Sequence, residues 1–149
     1  MMDTIMQKVD KACPVVTRLG DHGEEVLAFV HPFAGKQFVK GTIDAGEAPA
    51  QAAARELREE SGLVVPSAMQ FLGATEIGPE RLVWHFFYVF LLGLPEQWDH
   101  VTEDDGGHVF HFFWHRLDAP FDDTWHPLFS EAHSFFAPLI PRNGHRSGA

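Results

Sequence analysis

Thiols are nearly absent: Cys13 is the single cysteine in a chain of 149 residues. No internal disulfide can form, so the fold rests on its own core, and a lone thiol suits a reducing, cytoplasmic setting. Positive charge is also scarce, with 11 Lys and Arg against 21 Asp and Glu and a formal net charge of −10. A binder of duplex nucleic acid needs a basic footprint to neutralise phosphates, so that class is excluded. A small phosphorylated ligand would need metal cations or a local cluster of Lys and Arg to be held by so negative a chain. Long hydrophobic runs are missing as well. None reaches membrane-spanning length, and the opening MMDTIMQKVDKACP lacks the apolar stretch of a signal peptide. No membrane partner is expected.

Apolar residues are plentiful. They make up 45% of the chain and include 14 Phe, ample for one core at a length usual for one domain. No repeat, low-complexity tract or linker divides residues 1–149, which read as a single domain with flexible ends at 1–10 and 141–149. Ala12 to Arg18 and Glu25 to Pro32 read as two strands joined by a Gly-bearing turn. A short strand around Gln37 to Val39 leads into a Gly-rich loop, Gly41 to Gly46. Glu47 to Ser61 is the one long helix: Pro49 suits its first turn, and Gly62 stands where a left-handed cap belongs. Apolar runs follow at Leu63 to Val65, Met69 to Glu76 and Arg81 to Leu92. The last is apolar on both faces, as in a strand covered on both sides. Glu96 to Gly107 reads as a polar loop, Val109 to Arg116 as a strand, and Thr124 to Leu139 as a weaker helix bent at Pro138. Strands interleaved with two helices predict an α/β (α+β) fold, a mixed sheet sandwiched between helices.

The long helix carries an unusual acidic pattern. At about 100° per residue, Ala50, Ala53, Ala54, Leu57 and Ser61 fall on one packing side, and Arg58 and Gln51 point to solvent. Glu56, Glu59 and Glu60 share an adjacent arc with Arg55 beside it. Like charges at i, i+3 and i+4 repel by a few tenths of a kcal/mol per pair, so helix formation does not ask for them. A divalent cation does, because Mg²⁺ and Mn²⁺ take hard oxygen ligands. An E-x-x-E-E alone reads first as a solvated acidic face.

Its surroundings decide the matter. Gly41, Glu47, Arg55, Glu56, Leu57, Glu59, Glu60, Gly62 and Leu63 spell G-x5-E-x7-R-E-L-x-E-E-x-G-L. In this the sequence resembles the Nudix hydrolase family, whose signature it matches at every defined position. The resemblance implies a loop–helix–loop in an α/β/α sandwich. It implies Mg²⁺ or Mn²⁺ bound by Glu56, Glu59 and Glu60, with the Gly41 carbonyl as a further ligand. It implies that Glu47 pairs with Arg55 to brace loop against helix; the plainer alternative for Arg55 is an i, i+4 pair with Glu59. The implied activity is hydrolysis of a diphosphate bond in a nucleoside diphosphate linked to another moiety, by metal-activated water. The partner would be a small nucleotide or dinucleoside polyphosphate. Relatives often pair, so a homodimer is one arrangement the resemblance implies.

Two positions compete as general base: Glu59 on the helix, or the loop Glu103-Asp104-Asp105, which is equally readable as a solvated turn. Lys40, just before Gly41, is a candidate substrate-phosphate contact or a surface lysine. The histidines tempt toward zinc, through His108, His111 and His115. On a strand His111 and His115 lie roughly 13 Å apart, too far for one ion. His85 reads as a satisfied core histidine, Cys13 as an inert small residue, and Trp84, Phe86 and Tyr88 as core. Phe129, Phe135, Phe136 and Leu139 form the packing side of the last helix. Two other functions compete with this one: a catalytically silent nucleotide-binding module, and the isomerase branch of the superfamily, which needs a thiol that Cys13 is poorly placed to give.

Overall fold

The computed structural model describes residues 9–65, 68–102 and 107–141. In chain order the elements are β1 (Lys11–Gly20), β2 (Gly23–His31), β3 (Gly35–Gln37), β4 (Gly41–Thr42), α1 (Pro49–Ser61), β5 (Gln70–Ile77), β6 (Leu82–Phe90), β7 (Trp98–Val101), β8 (Val109–Arg116) and α2 (Pro127–Phe136). A 3-10 turn, Ala137–Leu139, continues α2. The path through the sheet is β5-β6-β1-β2-β8-β7, with β3 on β2 and β4 on β1. Pairing is antiparallel except between β1 and β6, which run parallel from Lys11 beside Trp84 to Thr17 beside Phe90.

Alternation along the central strands makes both faces apolar. Cys13, Val15, Val26, Trp84, Phe86 and Tyr88 face α2, against Phe129, Ala132 and Phe136. Val16, Leu27, Phe29, Val89 and Phe112 face the other way, around Leu57 of α1. Ala52 and Ala53 lie against Ala12 and Phe87, small residues that bring helix and sheet together. The expected sandwich of a mixed sheet between helices is the observed architecture. No helix of the described residues is long and apolar enough to cross a membrane.

Several boundaries differ from those read in the sequence. The helix starts at Pro49 rather than Glu47, and Gln51 Oε1 accepts the Ala48 N–H at 3.0 Å ahead of it. The short strand is Gly35–Gln37, and Phe38 and Val39, although buried, lie beyond it. The Gly-rich loop contains β4, which pairs with β1. The apolar run Leu63 to Val65 forms neither helix nor strand: Leu63 and Val65 pack on the core while Val64 is exposed. The polar loop holds β7, whose Trp98 and His100 turn inward while Asp99 and Val101 face solvent. Charge on the outer face of an edge strand hides it from a composition-based reading. Helix α2 runs Pro127–Phe136 and then tightens into the 3-10 turn at Pro138. The ends expected to be flexible, 1–10 and 141–149, fall almost wholly outside the described residues.

Candidate active site

The short pairing of β4 with β1 sets the site. Gly41 lies opposite Ala12 and Thr42 opposite Lys11, and Ile43 N–H donates to the Asp10 carbonyl at 3.0 Å. Asp10 also holds His85 Nε2 at 2.9 Å, tying β6 to the same corner. His85 is thus a half-buried, partnered residue on the α1 face, not part of the deep core. After Ile43 the loop turns back on itself. The Glu47 N–H donates to the Asp44 carbonyl, and the Asp44 N–H returns to Glu47 Oε1, each at 3.0 Å.

Arg55 reads this loop and its own helix together. Its Nε and Nη2 form a fork on Glu47 at 2.8 and 2.9 Å, and Nη2 also donates to the Thr42 carbonyl at 2.9 Å. Nη1 turns to Glu56 at 2.8 Å and Glu59 at 3.1 Å. Loop bracing and the i, i+4 pair, set against each other in the sequence, are both present, because a guanidinium carries five N–H donors. The Arg55 fork, helped by the Asp44 N–H, holds the Glu47 carboxyl down at about 2. Glu47 in turn raises the Arg55 guanidinium, which stays charged at every accessible pH.

Glu56 is only 8% exposed, less than Glu59 and Glu60. Helix α1 buries Ala52, Ala53, Glu56, Leu57 and Ser61 and leaves Ala50 exposed. The packing side is therefore rotated toward Glu56 relative to the sequence reading. Space explains this: the Glu56 carboxylate lies over Gly41, where an added Cβ would overlap its carboxyl carbon. Arg58 and Gln51 are exposed, as read. Among the described residues no three carboxylate, imidazole or thiol groups are gathered around one point. Glu56 and Glu59 are instead drawn together by Arg55.

Beside this corner opens a cavity of about 390 Å³. Lys11 and Lys40 stand on it, with Ile77, Leu82, Trp84 and Leu128 as an apolar wall. Lys11 Nζ donates to Thr42 Oγ1 at 2.8 Å, and burial, with Lys40 beside it, lowers its pKa. Lys11 escaped the sequence reading, because its place beside Thr42 follows from the pairing of β1 with β4, a contact between distant segments. Glu103, the other candidate base, lies with Asp104 and Asp105 outside the described residues. The strand histidines have separate partners: His111 binds Asp99, and His115 reaches the Ala119 carbonyl.

The far end of α1 is also held. Gly62 takes the left-handed conformation, φ 83°, and donates its N–H to the Arg58 carbonyl at 2.9 Å. Trp98 Nε1 donates to the Ser61 carbonyl at 3.0 Å, and His100 Nε2 to the Glu59 carbonyl at 3.1 Å. These last-turn carbonyls have no partner within the helix, so β7 supplies the donors. Neither residue was read as part of the site. Cys13 is fully buried, and burial pushes its thiol pKa up, as befits an inert residue.

An eight-stranded mixed sheet covered on both faces, with an arginine-braced acidic helix at one end, defines an α/β/α sandwich with a polar, acidic corner. The NUDIX domain model matches residues 10–134, and the chain belongs to the Nudix family. It is 35% identical over 107 residues to an 8-oxo-dGTP diphosphatase of Haemophilus influenzae, covering 66% of this chain and 74% of that protein. The binary complex of a C. elegans Ap4A hydrolase superposes with TM-score 0.61 at 18% identity, over 94% of this chain and all (100%) of that one. The NUDIX domain of Shewanella oneidensis NrtR, complexed with ADP ribose, gives 0.59 at 17% identity, over 85% and 86%. At those identities the two structures support the fold alone.

Proposed function

We propose that the protein hydrolyses a diphosphate linkage in a small nucleotide-type molecule, with Glu56, Glu59 and Glu60 as its acidic centre. The observation that carries this is the Arg55 fan, which holds Glu47, Glu56 and Glu59 on one guanidinium beside Thr42, next to a cavity lined by Lys11, Lys40 and Glu80. Such a cavity suits an anionic diphosphate against Lys11 and Lys40, with an aromatic base along Trp84, Ile77 and Leu128. The diphosphatase, Ap4A hydrolase and ADP-ribose names of the relatives fit the same chemical class.

The donor set fits a hard divalent cation, Mg²⁺ or Mn²⁺. All the oxygens are carboxylates or backbone carbonyls, and the Glu56 carboxylate lies in a cradle that any side chain on residue 41 would fill. Glu56, Glu59 and Glu60 would hold the metal, with the Gly41 carbonyl. When bound, it supplies neutralisation of phosphate charge and a lowered pKa for water. Glu47 and Arg55 keep the loop and the helix in register, so Glu56 and Glu59 stay aimed at one place. Glu59 spends one oxygen on Arg55; where its other oxygen takes the proton of the attacking water, the metal would rest on Glu56, Glu60 and the Gly41 carbonyl. Water oxygen bonds to phosphorus as the bridging P–O bond breaks, and the electron pair leaves on the departing phosphate. Lys11 and Lys40 offset the charge that builds there. A buried, unpaired thiol is consistent with a cytoplasmic setting.

One observation favours a second reading, a silent nucleotide-binding module: Arg55 already engages two of the three helix carboxylates. Phosphate release from a nucleotide panel with Mg²⁺ or Mn²⁺, repeated with Glu60→Gln, separates the two. The panel holds 8-oxo-dGTP, a dinucleoside polyphosphate, a sugar nucleotide and ADP ribose. Hydrolysis predicts metal-dependent turnover of at least one, reduced at least about a hundredfold in the variant. Nucleotide binding without turnover of any would give the module reading its case.

A further inference from the structure

A second cavity, of about 460 Å³, lies under the β1–β2 turn, where the 3-10 turn after α2 meets the segment following β8. It is at the opposite end of β1 from Gly41. Leu19, which faces Glu24 across the ladder, is roughly 25 Å along the strand from Lys11 at ~3.3 Å per residue. Leu117, Ala137, Pro138 and Ile140 give it apolar walls, and the acidic residues Glu24 and Asp118 line it together with His22.

Glu24 is the unusual member. It is 8% exposed, and its neighbours on this face are hydroxyls. Thr17 Oγ1 and Tyr88 OH both donate to Oε2, at 3.3 and 3.5 Å. Among the described residues no donor reaches Oε1, and no lysine, arginine or histidine pairs with the carboxylate. Carboxylates removed from water are ordinarily matched by a cation or by a full set of hydrogen bonds. Here two long bonds share one oxygen and the other oxygen is left over. The local field adds to the demand, since α2 directs its negative, C-terminal end at this cavity, and Asp118 stands on the same lining.

We propose that this cavity binds a small organic cation, an alkyl- or arylamine or a guanidine. Its positive head pairs with Glu24, and its hydrocarbon body lies against Leu117, Pro138 and Ile140. The 460 Å³ space is in the range of small-molecule sites. None of its residues belongs to the proposed hydrolytic centre, so the two readings stand or fall separately.

The test is a nitrogen-15 NMR titration of the full chain at neutral pH with benzylamine. Benzyl alcohol serves as a control of the same shape without charge, and benzoate as one of opposite charge. Benzylamine should shift the amides of Glu24, Leu117 and Ala137 saturably. The alcohol should bind at least about tenfold more weakly and benzoate not at all, the loss expected for one charged hydrogen bond. Glu24→Gln should weaken benzylamine by a similar factor. Should that variant unfold, Ala137→Phe fills the cavity, leaves Glu24 in place and should abolish the shifts. Equal binding of amine and alcohol overturns the proposal. So do shifts that map elsewhere, or amine binding unchanged by either folded variant.

Discussion

At the scale of single residues, the acidic corner turns on Gly41 and Arg55. The Glu56 carboxylate occupies the volume a side chain at position 41 would need, so Gly41→Ala must push it aside even though the fold can absorb one methyl group. The expected outcome is a far-UV spectrum and melting temperature near those of the parent, with kcat/KM for whichever nucleotide is hydrolysed down about a hundredfold. Steady-state kinetics beside a thermal melt checks both halves, and unimpaired turnover would remove Glu56 from the mechanism. The pattern from Gly41 to Leu63 was legible because it is local: spacing along one loop and one helix fixes which residues are neighbours. The burial of Glu56 was not legible, since it follows from how closely the backbone of β4 approaches the helix. The choice between Glu47 and Glu59 for Arg55 dissolved for a similar reason. Only the loop's turn through Asp44 brings Glu47 within the same reach.

At the scale of elements, β7 and α1 depend on one another. Trp98 stacks on Phe112, with ring centroids 5.2 Å apart, and donates to the Ser61 carbonyl. Trp98→Phe keeps the stack and removes the donor, so it should cost about 0.5–1.5 kcal/mol of unfolding free energy. Gly62→Ala forces a side chain into a left-handed conformation and should cost about 1–2 kcal/mol, with the His100 ring 3.1 Å from the new Cβ as a further obstacle. Urea titrations give both values, and hydrogen exchange should show protection lost first in the last turn of α1. Equal fraying of the first turn would contradict an anchoring role for β7. The helix was legible from its Pro49 start and its Gly62 stop, and both hold within two residues. β7 was missed because half of its four residues are polar and its inward pair, Trp98 and His100, is recognisable only once the end of α1 is beside it.

At the scale of the whole molecule, the layered plan was readable from the doubly apolar run at β6 and from two helical stretches, but the order of strands was not. Pairing partners are set by contacts between distant segments, which no local pattern records. The α2 face carries a pH dependence of its own. His115 and His133 are half-buried, and burial lowers both pKa values, against the opposing pull of their bonds to the Ala119 and Leu117 carbonyls. With folded values below the unfolded reference of about 6.5, the unfolded chain takes up more protons on acidification. The stability these groups contribute is whole above that reference and is lost as pH falls through the folded values. The melting temperature should therefore decline from about pH 7.5 toward about pH 5.5, and less steeply in His133→Gln. A flat profile, or one equally steep in the variant, would refute the assignment. The parallel seam between β1 and β6 has a consequence for biosynthesis. A ribosome that has released Leu63 has delivered the full acidic signature, yet the strand that must lie alongside Lys11 to Thr17 is still unmade. A message cut short before Leu82 would yield a polypeptide that sequence inspection would label an enzyme, with nothing beneath the label to hold the chemistry in place.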